Sequence, residues 1–207
     1  MMNSFFIKDE VEGHFKRNLI QYVISLIFII VGIIIGVYFI LTSISISSLL
    51  TTSNKTMIDF INGTANYREM FSSRFVDILI CFLILFLFNF NYYTSFINYI
   101  FIGYQSSLCT IICGALITLY KVAGFINVIF FVVPINIINL AIMVVFNICG
   151  IEKCRVQKSL HIRFFQSFKE NYYFYKVLIC IVLSLVVCVI HSFILPLIVK
   201  SFIVVNY

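Results

Sequence analysis

Three histidines, His14, His161 and His191, and seven cysteines are the residues of this chain best suited to acid–base, nucleophilic or metal chemistry. A general base must lie within hydrogen-bond reach of its partner, and a structural zinc site needs four ligands at short spacings. Neither pattern is present. The histidines are scattered between the N-terminal stretch, the segment after residue 149 and the last apolar run, with no Ser/His/Asp set, paired carboxylates or HExxH motif. Cys109 and Cys113 share a helix face but have no histidine or acid at ligand spacing. The cysteines make no CxxC, their total is odd, and most lie in or beside apolar runs, where they read as small buried hydrophobes. These residues point to no catalytic, cofactor-binding or metal site, and away from an enzyme.

A second set of polar residues is more informative because of where it falls. The run "FFVVPINIINLAIMVVFN", residues 130 to 147, sets Pro134, Asn136, Asn139 and Asn147 in an otherwise apolar stretch. Asn136, Asn139, Met143 and Asn147 follow one another at i, i+3, i+7 and i+11, which is one stripe on a helix. Side-chain amides on such a stripe join helices by hydrogen bonds worth roughly 0.6 to 2 kcal/mol each in a membrane. The alternative is that Pro134 removes a backbone bond and breaks its helix, freeing polar backbone for a ligand as in a permease or channel subunit. Against that alternative, Asp77 and Lys121 lie near the ends of apolar runs, Pro196 is the only other proline, and no internal repeat accompanies the break. Small residues form the clearest contact surfaces: Gly32 and Gly36 in one helix, and Ser106, Thr110 and Gly114 at four-residue steps in another. Both stripes let backbones approach closely, for internal packing or for a partner.

The solvent around these residues follows from composition. Of 207 residues, 62% are hydrophobic and 11% charged, whereas a soluble domain carries about 25% charged residues. Eight acids and fourteen bases cannot cover a core of this size, so apolar side chains must face lipid. The Phe, Ile, Asn, Tyr and Lys excess reads as the codon bias of an AT-rich genome. Crossing a hydrocarbon core about 30 Å thick takes about 20 apolar residues in a helix. Five stretches satisfy this: 18–41, 76–92, 96–119, 124–148 and 177–199. The second and third share one apolar run from Phe75 to Tyr120, which the polar "NFNYYTS" at 89–95 divides into a hairpin. The expected fold is a single all-α polytopic membrane domain, with its first seventeen residues retained because no signal-peptide pattern precedes the first span.

Lys and Arg set the orientation. With five spans, nine of them (Lys8, Lys16 and Arg17, with the rest between 153 and 176) share a side with the N-terminus, against five on the other, which places the N-terminus in the cytoplasm. The outer loop is then 42–74, where Asn54-Lys55-Thr56 and Asn62-Gly63-Thr64 fit the glycosylation pattern in a segment rich enough in Asn, Ser and Thr for chance matches. The cytoplasmic loop 149–176 contains Phe164, Phe168, Tyr172 and Tyr175 on one helical face, flanked by Arg163, Lys169 and Lys176. That pattern predicts an amphipathic helix lying on an anionic leaflet. The expected partner is the lipid bilayer; nothing points to nucleic acid.

"HFKRNLIQYVISLIFIIVGIIIG" and "FIGYQSSLCTIICGALITLYKVAGFINVIFFVVPINII" together resemble the stage II sporulation protein M family of bacterial integral membrane proteins. The resemblance lies in a basic, Asn-containing entry to a Gly-spaced first span, the Gly-aromatic step Gly103-Tyr104, the small-residue stripe, the "YKVAGF" turn, and the element containing Pro134, Asn136 and Ile137. It covers about half the chain. Ile135 stands where the family usually has Gln, and Ser106 and Cys109 where Gly is more usual. The resemblance implies a non-catalytic scaffold that anchors peptidoglycan-degrading enzymes, or other membrane proteins, through its spans and outer loop, at the engulfing membrane where the organism sporulates. Contact residues on this reading are Gly32, Gly36, Gly103, Ser106, Thr110, Gly114, Pro134, Asn136 and Asn139.

Overall fold

The computed structural model describes residues 13–42, 67–89, 93–160 and 173–194. The elements are α1 (Leu19–Thr42), α2 (Tyr67–Phe88), α3 (Ser95–Asn127), a π-helical turn (Val128–Val132), α4 (Val133–Leu160), α5 (Tyr173–Val189) and a second π-helical turn (Ile190–Ile194). The described residues are thus all-helical. Helix suits this composition because a lipid-facing backbone must pair within its own segment. Three stretches are long and apolar enough to cross a membrane: Leu19–Thr42, Ser95–Thr118 and Val133–Arg155. The apolar parts of α2 and α5, Phe75–Phe88 and Tyr173–Val189, are shorter.

Helix ends differ from the expected spans where polar groups decide them. α2 begins at Tyr67, inside the expected outer loop, and stops at Phe88 rather than continuing over 76–92. The stop is local: the Thr94 hydroxyl donates to the Phe88 carbonyl at 2.7 Å and closes the turn into α3. α3 runs past residue 119, but Lys121 interrupts it with φ 49° and ψ −117°. A side chain rarely adopts that half of backbone space, and such residues cost on the order of 1–3 kcal/mol. Beyond it the chain folds back, so that Val128 and Val132 pack against Leu116 on the other side of the turn. α4 continues to Leu160, so residues 149–160 are helix rather than the start of a loop. Phe164, Phe168 and Tyr172 of the expected interfacial helix, Asn54 and Asn62, and the fifth span beyond residue 194 lie outside the described residues.

α4 is the central element. Its buried face, including Ile142, Met143, Phe146, Ile148 and Cys149, forms one core cluster with Phe82 and Leu85 of α2, Ile102 of α3, and Tyr173, Val177 and Cys180 of α5. The Phe82 and Phe146 rings meet edge to face with centroids 5.0 Å apart, a geometry that adds roughly 0.5–1.5 kcal/mol to area burial.

α1 is held differently. Only Ser25, Gly32 and Gly36 of its residues are buried, and the two glycines lie against α3. A β-carbon on Gly32 would collide with the Gly103 carbonyl, and one on Gly36 would lie 2.7 Å from Thr110 Cβ and 2.8 Å from the Ser107 carbonyl. The same holds from the other side, where a β-carbon on Gly103 would come within 2.9 Å of the Phe28 carbonyl, and one on Gly114 would collide with the Ile40 side chain. The Ser106 hydroxyl crosses this contact and donates to the Ile29 carbonyl at 3.0 Å. Backbone-to-backbone approach of this kind gains dispersion over its whole length, which is the available attraction when lipid competes equally for apolar side chains. The outer face of α1 is apolar throughout, with Ile20, Ile27, Ile34 and Leu41 all exposed.

Gly36→Leu is therefore expected to destabilise the protein by at least about 2 kcal/mol through overpacking, measured as a lowered thermal unfolding midpoint in detergent. Ile34→Leu, on the open face, is expected to leave the midpoint unchanged.

Candidate functional site

Polar side chains gather at two levels of the bundle. At the first level Asn89, at the end of α2, Asn98, in the second turn of α3, and Asn147, on α4, are all fully buried. The Asn98 amide nitrogen lies 3.0 Å from Asn89 Oδ1, 3.0 Å from Asn147 Oδ1 and 3.1 Å from the Leu85 carbonyl, three acceptors converging on one NH2 group. Gly150 makes room for this cluster, since a β-carbon there would collide with the Asn89 side chain. Cys154 donates from Sγ to the Asn89 carbonyl at 3.2 Å, satisfying a backbone group that the end of α2 leaves open. Tyr173, the first residue of α5, is buried beside them, with the Lys153 ammonium 5.2 Å from its ring centroid. One node thus ties four helices.

Just beyond this node the basic N-terminal segment meets α4 and α5. Glu152 gathers two cations and an imidazole: Lys176 Nζ at 3.2 Å, Arg17 at 3.9 Å and His14 Nδ1 at 3.3 Å. Arg17 is largely exposed, so that pair contributes little. Asn18, buried, donates its amide to the His14 carbonyl at 3.1 Å and fixes the segment's entry into α1. Burial pushes the His14 imidazole below its ordinary pKa of 6.5, and outweighs the raising effect of the Glu152 carboxylate; Lys176 and Arg17 add to the lowering.

The second level lies further along the helices, about 16 Å from the asparagine node at 1.5 Å per residue. Here a cavity of about 110 Å³ opens between α2, α3, α4 and α5, with Asp77, Gln105, Asn136, Asn139 and Ser184 among its lining. It sits beside the irregular start of α4. Pro134 has no N–H to give and its ring crowds the preceding turn, and the chain widens into the π-helical turn Val128–Val132 immediately before it. The Asn136 amide donates to the Val132 carbonyl at 2.8 Å, so this amide serves its own helix where an interhelical bond was expected. Gln105 donates its amide to Cys81 Sγ at 3.3 Å.

The residues singled out in the sequence thus divide into two groups. Gly32, Gly36, Gly103, Ser106, Thr110 and Gly114 lie along the α1–α3 contact. Asn136 and Asn139 line the cavity, next to exposed Pro134. Asn147 bonds across to α3, in the same stripe but at the other level. Asn89, Asn98, Glu152 and Tyr173 carry no sequence signal of their own. Their roles depend on partners far along the chain, as with Asn98 and Asn147, 49 positions apart. Comparison with protein-family models, with curated proteins and with solved structures returns no match.

Asn98→Leu removes the donor from two buried amide oxygens and is expected to cost about 1–3 kcal/mol, read from unfolding in detergent; Asn136→Leu, which loses only a bond within its own helix, is expected to cost less. The stability contributed by burying the neutral His14 imidazole is expected to fall on acidification. The folded-state pKa of the imidazole is depressed, so the unfolded chain binds more protons, and the stabilisation present above pH 6.5 is lost as the pH falls below that value. Comparing the unfolding midpoints of the parent chain and His14→Gln at pH 7.5 and pH 5 is expected to show a difference that shrinks at the lower pH.

Proposed function

We propose that this chain is a multi-pass membrane scaffold of five spans, with its N-terminus in the cytoplasm, that anchors peptidoglycan-remodelling enzymes in the manner of the stage II sporulation protein M family it resembles. The observation that carries this reading is the way the helices are joined. α1 meets α3 backbone to backbone at Gly32 and Gly36, and α2, α3, α4 and α5 meet at the asparagine node. Such joints suit a rigid frame that holds other proteins in register, and they call on no catalytic group.

Orientation has separate support. The basic segment before α1, the α2–α3 turn, the charged part of α4 and the start of α5 gather at one end of the bundle through the Glu152 and Asn89 contacts. An alternating path of five spans puts those same four segments on one side, and their excess of Lys and Arg makes that side cytoplasmic. The 42–74 loop would then face outward, where cell-wall enzymes work. A second reading, a permease or channel subunit, draws on the cavity beside Pro134 and the π-helical turn.

Affinity purification of the tagged full-length chain in mild detergent, after crosslinking in cells, separates the two. A co-purifying peptidoglycan hydrolase is expected, and Gly36→Leu is expected to reduce its recovery at least several-fold with membrane insertion unchanged. Recovery of an ATPase without any wall enzyme would overturn the scaffold in favour of the permease.

A further inference from the structure

We propose that the cavity between α2, α3, α4 and α5 is a binding site for a small monovalent cation, held by Asp77 at the rim and by the amide and hydroxyl oxygens of Gln105, Asn136, Asn139 and Ser184 within. This site is independent of the scaffold reading and of the α1–α3 contact.

The argument rests on which polar atoms are already used. A carboxamide has one donating and one accepting end. Gln105 gives its NH2 to Cys81 Sγ, and Asn136 gives its NH2 to the Val132 carbonyl. Each amide keeps its carbonyl oxygen, along with a second N–H. Among the residues whose side chains are described, no cation pairs with Asp77, which lies on the cavity's lining midway along α2, twelve positions before Asn89. The site is therefore rich in oxygen acceptors and contains one formal negative charge. Hard cations are bound by such oxygens, and replacing part of a hydration shell with carbonyl dipoles is how membrane proteins hold monovalent ions. A single carboxylate balances a single positive charge, whereas all-protein calcium sites draw on several carboxylates. The cavity's size agrees: about 110 Å³ accommodates an ion and several waters, at roughly 10–15 Å³ of such space per water.

The bound cation also accounts for an otherwise costly placement. A carboxylate beside the hydrocarbon is expensive when it stands alone and much less so with a counter-ion. The irregular start of α4 contributes as well, because the turn before Pro134 brings Asn136 and Asn139 to the lining.

The test uses the full-length chain in detergent micelles at constant ionic strength, with the chloride salt of sodium, potassium, ammonium or the bulky N-methylglucamine. One of the three small cations is expected to raise the unfolding midpoint by about 3 °C or more over N-methylglucamine, as selective binding to the folded state requires. Asp77→Asn, nearly isosteric, is expected to abolish the difference. The same cation is expected to slow labelling of Cys81, which lines the cavity, by a small uncharged thiosulfonate reagent, read by peptide mass. This second measurement applies to the parent chain and holds even where a variant is unstable. Equal midpoints in all four salts with unchanged Cys81 labelling would overturn the proposal, as would a cation effect that survives in Asp77→Asn. Either result would leave the scaffold reading to its own partner-recovery test.

Discussion

A side-chain amide facing hydrocarbon has nothing to bond to, and the cost of leaving it so is several kcal/mol. In this protein that constraint places the helices. Asn89, Asn98 and Asn147 are fully buried, and the Asn98 NH2 bonds the amide oxygens of the other two while one polar atom of each amide stays without a partner, which ties the α2–α3 hairpin to α4 in one register. Sliding α3 by a turn would take the Asn98 donor away from both buried amide oxygens. The surrounding details follow from the same point: Gly150 has no side chain because Asn89 occupies that space, Cys154 bonds the Asn89 carbonyl, and Tyr173 starts α5 where it closes over the node.

α1 answers the same solvent by other means. It has few polar groups to satisfy, so its attachment comes from closeness, through Gly32 and Gly36 against the α3 backbone, with the Ser106 hydroxyl as one cross-link. Its N-terminal entry is then pinned at Glu152, which meets the Lys176 ammonium and the His14 imidazole. Three kinds of attraction thus act at three places: dispersion along α1, amide bonds at the node, and ion pairs where the chain leaves the apolar region. A bundle joined in this way leaves the apolar perimeter of its helices free.

The solvent and the helical class are legible in composition, because no other arrangement covers so many apolar residues with so few charges. The faces of close approach are legible too: four-residue spacing of Gly32 and Gly36, and of Ser106, Thr110 and Gly114, needs nothing beyond one helix to be seen. Which face meets which is not in the spacing. Nor is the node, since "NFNYYTS" reads as a polar turn until Asn147 is brought to it from another helix. Residues 149–160 look like a loop by their charges, but Glu152 and Lys153 are stabilised by Lys176 and Tyr173 on α5, so the helix continues. Asn136 shows the converse. Its position on the stripe is visible, yet its amide bonds backwards to Val132 because the proline and the widened turn disturb that part of the helix.

Ile34, Leu83, Ile137 and Leu183 lie on the open perimeter of four different helices, each well exposed once lipid is disregarded. Placing a single cysteine at each of them in a cysteine-free chain, and treating intact cells with a water-soluble maleimide before and after detergent solubilisation, asks directly which solvent bathes that perimeter. A lipid-facing perimeter gives no labelling in cells at any of the four, while Arg17→Cys reacts once the membrane is permeabilised. Rapid labelling of the four in intact membranes would mean that water surrounds the bundle, and the account of its buried amides and close glycines as responses to hydrocarbon would be wrong.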